Sequence, residues 1–334
     1  GVRYAQLELV VIDEQHRFGV AQREALAAKG EDAHVLLMTA TPIPRTLGQV
    51  LYADLDVSDL RTPPEGRRSI ATGIRVPSDL AGTWGRVREE AAADHRTFVV
   101  FPHIDPLGAD EPGAIAAPMP SLPEDRDEGF PAATGAEEVA ERLRGQLAPV
   151  RVGLVHGRMR ADERDAEMAR FRDGELDVLV GTTVVEVGVD VPEATMMIVL
   201  NADRFGLSQL HQLRGRVGRG PAQSYCVLVA DISEDTTAKA RLAAIHASND
   251  GFKLAEEDWR LRGEGDVLGL DQSGLPRMRL ASLTREGDRE LAVRCRESAE
   301  AIVDEVGQLR PGHEALEREL QAGWLSAIHL GEGL

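Results

Sequence analysis

The stretch DVLVGTTVVEVGVDVP at residues 177–192 opens on Val178, Leu179 and Val180, an apolar run with no polar alternation, and passes straight into Gly181, Thr182 and Thr183. An unbroken apolar run ending in small polar residues is the pattern of a parallel strand covered on both faces, with a polar loop at its carboxyl end. Open α/β sheets place their ligands at such ends. The same unit recurs outward in both directions as IATGIRV (70–76), TFVVF (97–101), VGLVH (152–156), MMIVL (196–200) and YCVLV (225–229). Helical patterns near Leu80–Ala93, Glu137–Leu147 and Asp162–Arg172 separate them, and on the second Val139, Leu143 and Leu147 fall on one face as a core stripe. Strands spaced by helices in this way predict an α/β fold, a parallel sheet with helices on both faces.

Upstream, LELVVI (7–12) and VLLM (35–38) read as two further buried parallel strands, with a helix over Gln22–Lys29 ended by Gly30. In RTPPEGRR (61–68) proline, glycine and charge replace periodicity, which marks a linker. Downstream of Asp231 the pattern turns helical over Thr237–Ser248, becomes Gly- and Arg-rich over Arg260–Gln272, and is helical again over Thr284–Val306. The expected organisation is a first unit over residues 1–62, a linker at 63–69, a complete α/β unit at 70–230 and a helical region at 231–334. An insertion at 105–135, rich in proline, small residues and acid, interrupts the second unit and predicts a mobile surface loop.

With 43% hydrophobic residues and no apolar stretch near the roughly 18 residues a membrane span needs, the chain reads as a soluble multi-domain protein. It starts at Gly1 without a secretory signal pattern, which predicts a truncated, cytoplasmic chain. The net charge of -18 weighs against a uniformly basic nucleic-acid binder. Half of that excess lies between Asp105 and Glu141, where ten acids face Arg126 alone, so the rest of the surface is far less acidic. Cys226 and Cys295 each fall in a pattern that reads as buried strand or helix, the ordinary setting of an unreactive thiol.

Asp13-Glu14-Gln15-His16 follows the first strand, and Thr39-Ala40-Thr41-Pro42 follows the second. Adjacent acids at a strand end either cap it in solvent or hold a magnesium ion and orient an attacking water. Thr182, Thr183, Gly188 and Asp190 combine hydroxyls suited to phosphate oxygens, a glycine for close backbone approach, and a carboxylate suited to a ribose hydroxyl. In Gln212–Gly220 (QLRGRVGRG), Arg216 and Arg219 are expected on one side of a helical turn, either gripping nucleic acid or stabilising the charge of a transferring phosphoryl group. The glycines at 215, 218 and 220 favour the second use.

DEQH (13–16), TATP (39–42), TTVVEVGVDVP (182–192) and QLRGRVGRG (212–220) resemble motifs II, III, V and VI of superfamily-two helicases. DEQHRFGV (13–20), MTATPIPRTL (38–47), GLVHGRM (153–159) and LHQLRGRVGRG (210–220) are similar almost letter for letter to the RecG family, and residues 241–274 resemble its translocation hairpin and loop. The resemblance implies RecA-like sheets, a partial first lobe and a complete second lobe, followed by a C-terminal helical translocation region. It implies ATP and Mg²⁺ as cofactors, with Asp13 at the metal, Glu14 activating water, and Gln15 and His16 linking that site to DNA. It further implies Arg216 and Arg219 as arginine fingers, Gln212, Asp190 and Gly188 closing on nucleotide, and Thr39, Thr41, Thr182 and Thr183 on the DNA side. Arg241, Arg262 and Gln272 would tie the hairpin to its loop. The implied partners are branched double-stranded DNA, as in forks and Holliday junctions, and single-stranded-DNA-binding protein, with the protein acting as a monomer. The transcription-repair coupling translocases share TATPIPRTL, and a non-catalytic binding module is the alternative from another class. A phosphate-binding GxxxxGKT loop is absent from these 334 residues, so the chain alone is expected to hydrolyse ATP negligibly.

Overall fold

The computed structural model describes residues 4, 6–13, 29, 33–39, 58–62, 68–102, 136–182, 190–231, 236–266, 286–304 and 308–320, with backbone only at 236, 262–266, 286 and 289. The insertion 105–135 and the expected helix over Gln22–Lys29 (bar Lys29) lie outside the described residues. By contacts the chain divides into one compact unit holding residues 1–18, 25–42 and 60–261 and a second holding 19–24, 43–59 and 262–334.

Six parallel strands form the main sheet in the order β3-β8-β7-β4-β6-β5: β3 (Ala71–Arg75), β4 (Arg96–Val100), β5 (Val152–Val155), β6 (Val178–Gly181), β7 (Ala194–Val199) and β8 (Tyr225–Val229). Of the four inner strands, β4, β6 and β7 are buried at every residue, as parallel strands covered on both faces require. Their side chains alternate between two cores. Phe98, Val100, Leu179, Met197 and Val199 join one core with Phe171 of α3 (Ala161–Arg172), Leu207, Leu210 and Leu213 of α4 (Leu207–Arg214), and Leu242 and Ile245 of α5 (Thr236–Ala247). Val99, Val178, Val180, Met196 and Ile198 join the other with Trp84 and Val87 of α1 (Ala81–Ala92) and Val139, Leu143 and Leu147 of α2 (Ala136–Leu147). Helices thus cover both faces, as the alternation of strands and helices predicted.

β1 (Leu9–Ile12) pairs in parallel with β2 (His34–Leu37), but the pair is not buried as expected. Leu9, Val11 and Leu36 are about half exposed because, among the described residues, two strands have no further strand beside them. In the second unit α7 (Glu286–Ile302) and α8 (Glu314–Glu319) line a groove through Leu291, Cys295, Ile302 and Leu316. Cys295 is therefore exposed rather than buried, because it falls on the open side of α7. Cys226 matches expectation: burial in β8 pushes its thiol up to about 12, which keeps it protonated.

The start of β5 is tied to the start of β6 by charge. Arg151 donates to Asp177 Oδ2 through its backbone N–H at 2.8 Å and its Nε at 2.9 Å, and through Nη2 to Oδ1. Burial raises the Asp177 pKa, but these donors and the guanidinium charge outweigh it and hold the carboxyl below its ordinary 3.8. Because folding lowers this pKa, the stabilisation is complete above pH 3.8 and fades as pH falls through the lower folded value. The Arg151 side chain is half exposed and screened by water, so Asp177→Asn is expected to cost about 1 kcal/mol at pH 7. Urea unfolding at neutral and strongly acid pH checks this. A deficit that persists undiminished in acid would show that lost packing, not charge, is responsible.

Candidate functional site

Parallel strands give the sheet two chemically distinct edges, and the sequence-predicted residues divide between them. At the amino-terminal edge lie the turn that follows α4 and the approach to β7. Gln209 Oε1 accepts the Gly206 N–H at 3.0 Å to start α4, and Leu207, Leu210 and Leu213 bury one side of it. The helix ends at Arg214, so Arg216 and Arg219 are not on a helical face as expected. Gly218 takes φ +77°, and a Cβ on Gly220 would stand 2.4 Å from the Pro192 carbonyl oxygen. Beyond the cap at Gly215, these two glycines shape the turn and let it lie close against the segment leading into β7. Arg216 is half-buried, while Arg219 stays exposed and donates from Nη1 to Asp190 Oδ1 at 3.0 Å. Asp190, expected to face a ribose, accepts this hydrogen bond from Arg219, and Gln212 is half-buried on α4.

The carboxyl-terminal edge carries Thr182, directly after β6. It is 2% exposed, and its hydroxyl has no partner among the described residues. A buried hydroxyl without a partner is costly, so this position has an unmet polar demand next to the loop that follows it. On the separate pair of strands, Asp13 follows β1 and Thr39 lies two residues beyond β2, and the Met38 N–H donates to the Ile12 carbonyl at 2.8 Å. Asp13 is exposed. Glu14, Gln15, His16, Thr41, Thr183, Gly188 and Gln272 lie outside the described residues, and no group of three or more potential metal ligands occurs among the described ones.

A third set of contacts joins the sheet to the helices that follow. Arg241 on α5 donates from Nη2 to the Asp203 carbonyl at 2.8 Å, fixing α5 to the turn after β7. Asp250 Oδ1 accepts the Phe252 N–H at 2.9 Å and so caps α6 (Gly251–Asp266). That helix continues through Gly263 and Gly265, where the Gly- and Arg-rich sequence predicted irregular chain, and it carries the Arg262 backbone. Sequence reasoning passed over Arg214. Only 2% exposed, it donates to the Ile245 and Ser248 carbonyls at 2.7 and 2.8 Å and to His211 Nδ1 at 3.1 Å. Burial lowers its pKa, with Cys226 opposing the shift. Its signal was an arginine on the apolar stripe set by Leu207 and Leu210.

Residues 132–221 match the helicase conserved C-terminal domain, and residues 248–323 match domain 3, C-terminal, of the ATP-dependent DNA helicase RecG. The chain is 49% identical over 303 residues to the ATP-dependent DNA helicase RecG of Mycobacterium bovis, covering 88% of this chain and 39% of the relative. It is 45% identical over 305 residues to that of Synechocystis, covering 91% and 34%. The chain belongs to the RecG family. It spans less than two fifths of the length of these relatives. A solved structure of RecG bound to a three-way DNA junction aligns with 89% of this chain and 34% of its own, at 34% identity and a TM-score of 0.62. The first match ends just after the arginine turn, and the second begins at Ser248, in the turn that Arg214 holds.

Proposed function

We propose that this RecG-family chain carries the second motor lobe and the coupling hairpin of an ATP-driven helicase that remodels branched double-stranded DNA at stalled forks and Holliday junctions in recombination and repair. The observation that carries this reading is the alignment of 89% of the chain with RecG on a three-way junction. Phosphoryl transfer spreads negative charge over the transferred group, and positioned cations are its main catalytic need. Arg216 and Arg219 on an accessible turn meet that need, with Gln212, Gly188 and Asp190 closing around the same nucleotide. An exposed Asp13 would hold a magnesium ion, which would supply charge neutralisation for the phosphates. Glu14 then orients the attacking water, while Gln15 and His16 relay the state of that site to DNA. Bound Mg-ATP would supply the free energy of hydrolysis. Thr39, Thr41, Thr182 and Thr183 take the DNA side, and Arg241, Arg262 and Gln272 pass lobe movement to the hairpin. The protein works as a cytoplasmic monomer and meets single-stranded-DNA-binding protein at its forks.

The test uses the complete protein containing this chain, because the phosphate-binding loop is not among these residues. ATP hydrolysis is measured with and without a synthetic fork, for the parent and for Arg262→Ala. Fork-stimulated hydrolysis by the parent, with Arg262→Ala hydrolysing ATP but failing to unwind, is the expected result. A parent that hydrolyses nothing refutes the motor, and normal unwinding by Arg262→Ala removes Arg262 from coupling.

A further inference from the structure

We infer that Arg214 is a positioning residue that locks the arginine-bearing turn to the turn between α5 and α6, so that the two move together. The inference rests on the motor reading above and adds a residue which that reading does not use. Arg214 occupies a place on α4 where an apolar side chain would complete the buried stripe with no desolvation cost. None of its three hydrogen-bond partners is a carboxylate. Nη1 is shared between the Ile245 and Ser248 carbonyls, which lie at the C-terminal end of α5, where carbonyls lack helical partners and carry partial negative charge. Nη2 donates to His211 Nδ1, one turn back on α4, and because arginine can only donate, that histidine nitrogen must accept. The planar guanidinium therefore fixes orientation as well as distance between α4 and the end of α5.

Two further contacts reach the same turn. A Cβ on Gly251 would stand 2.9 Å from His211 Nε2, so the first residue of α6 packs directly on α4. The Arg61 guanidinium, from the linker, lies over the Phe252 ring at 4.5 Å. Arg216 is two residues beyond Arg214 in the chain, and α6 runs unbroken from Gly251 to Asp266 with Arg262 on it. A displacement of the arginine turn toward nucleotide is passed through Arg214 to the start of α6, since close-packed elements shift as units rather than deform. A residue that merely capped α5 would stabilise the fold without affecting how hydrolysis is converted into movement.

The experiment compares Arg214→Met and Arg214→Lys with the parent in the complete protein, reading fork-stimulated ATP turnover, base pairs unwound per ATP, and thermal melting. For Arg214→Met, turnover is expected to stay within about threefold of the parent while base pairs per ATP fall roughly tenfold. Arg214→Lys keeps the charge but not the two-pronged hold, and is expected to recover only part of that loss. If Arg214→Met fails to fold, Arg214→Lys and Gly251→Ala, which presses on His211, carry the same readout. Turnover and unwinding that decline in step, or an unchanged yield of base pairs per ATP, would overturn the inference. A parent with no fork-stimulated turnover overturns the motor reading itself, a result distinguishable from the others because it appears before any substitution.

Discussion

Arg219→Ala in the complete protein is expected to slow ATP turnover by roughly a thousandfold, with a much smaller change in nucleotide affinity. Arg219 is held near the start of β7 by an exposed pair with Asp190 at 3.0 Å. Such pairs contribute at most about 1 kcal/mol, because water screens them. Exchanging that partner for phosphoryl oxygens, the role proposed for Arg219, would therefore cost little. A positive charge that meets the phosphoryl group mainly in the transition state lowers the barrier rather than tightening ground-state binding. Arg219→Lys restores charge without the planar fork and should regain only a fraction of the rate. Phosphate release at saturating ATP and fork DNA is the measurement, and a loss smaller than about tenfold would take Arg219 out of the reaction.

Gly220→Ala is the second large effect, and it acts through backbone. The added Cβ would stand 2.4 Å from the Pro192 carbonyl oxygen, an atom that cannot swing aside as a side-chain tip can. Relief requires the arginine turn or the strand entering β7 to move, at an expected cost of about 2–3 kcal/mol. The same movement separates Arg219 from Asp190, so turnover should fall together with the melting temperature. At Gly218 the added Cβ would meet the Ile70 side chain at 3.0 Å, a softer neighbour, but there φ is +77° and the strain is conformational. Urea midpoints for Gly220→Ala and Gly218→Ala measure the two costs. A Gly220→Ala chain as stable as its parent would mean that the turn has room to relax.

The buried strands of the main sheet were legible because Val, Ile, Leu and Met runs leave few alternatives once helices separate them, and Val139, Leu143 and Leu147 point inward as their spacing requires. The exposure of Leu9 and Val11 was not legible from those residues, since burial depends on neighbouring strands and not on the run itself. Periodicity placed Arg216 and Arg219 on a helix. The helix ends at Arg214 with Gly215 as its cap, and the turn beyond fits Gly218 against Ile70 and Gly220 against Pro192, neighbours distant in sequence. Gly263 and Gly265 lie in the Gly- and Arg-rich stretch that was set between two helical patterns, yet α6 runs through them. Arg214 was hidden because its partners are main-chain carbonyls, and no residue letter records an acceptor of that kind.

The six strands run the same way with both faces packed, so the sheet is a stiff plank whose two ends carry different sets of candidate residues. Its length, about five residues at roughly 3.3 Å each, is about 17 Å. Pivoted at the end bearing the arginine turn, a plank of that length swings its far end by about 3.4 Å, the axial spacing of one base pair, for a rotation of roughly 12°. If nucleotide meets the arginine turn and duplex meets the far end, as proposed, small adjustments at the first would suffice to advance the second by a single rung.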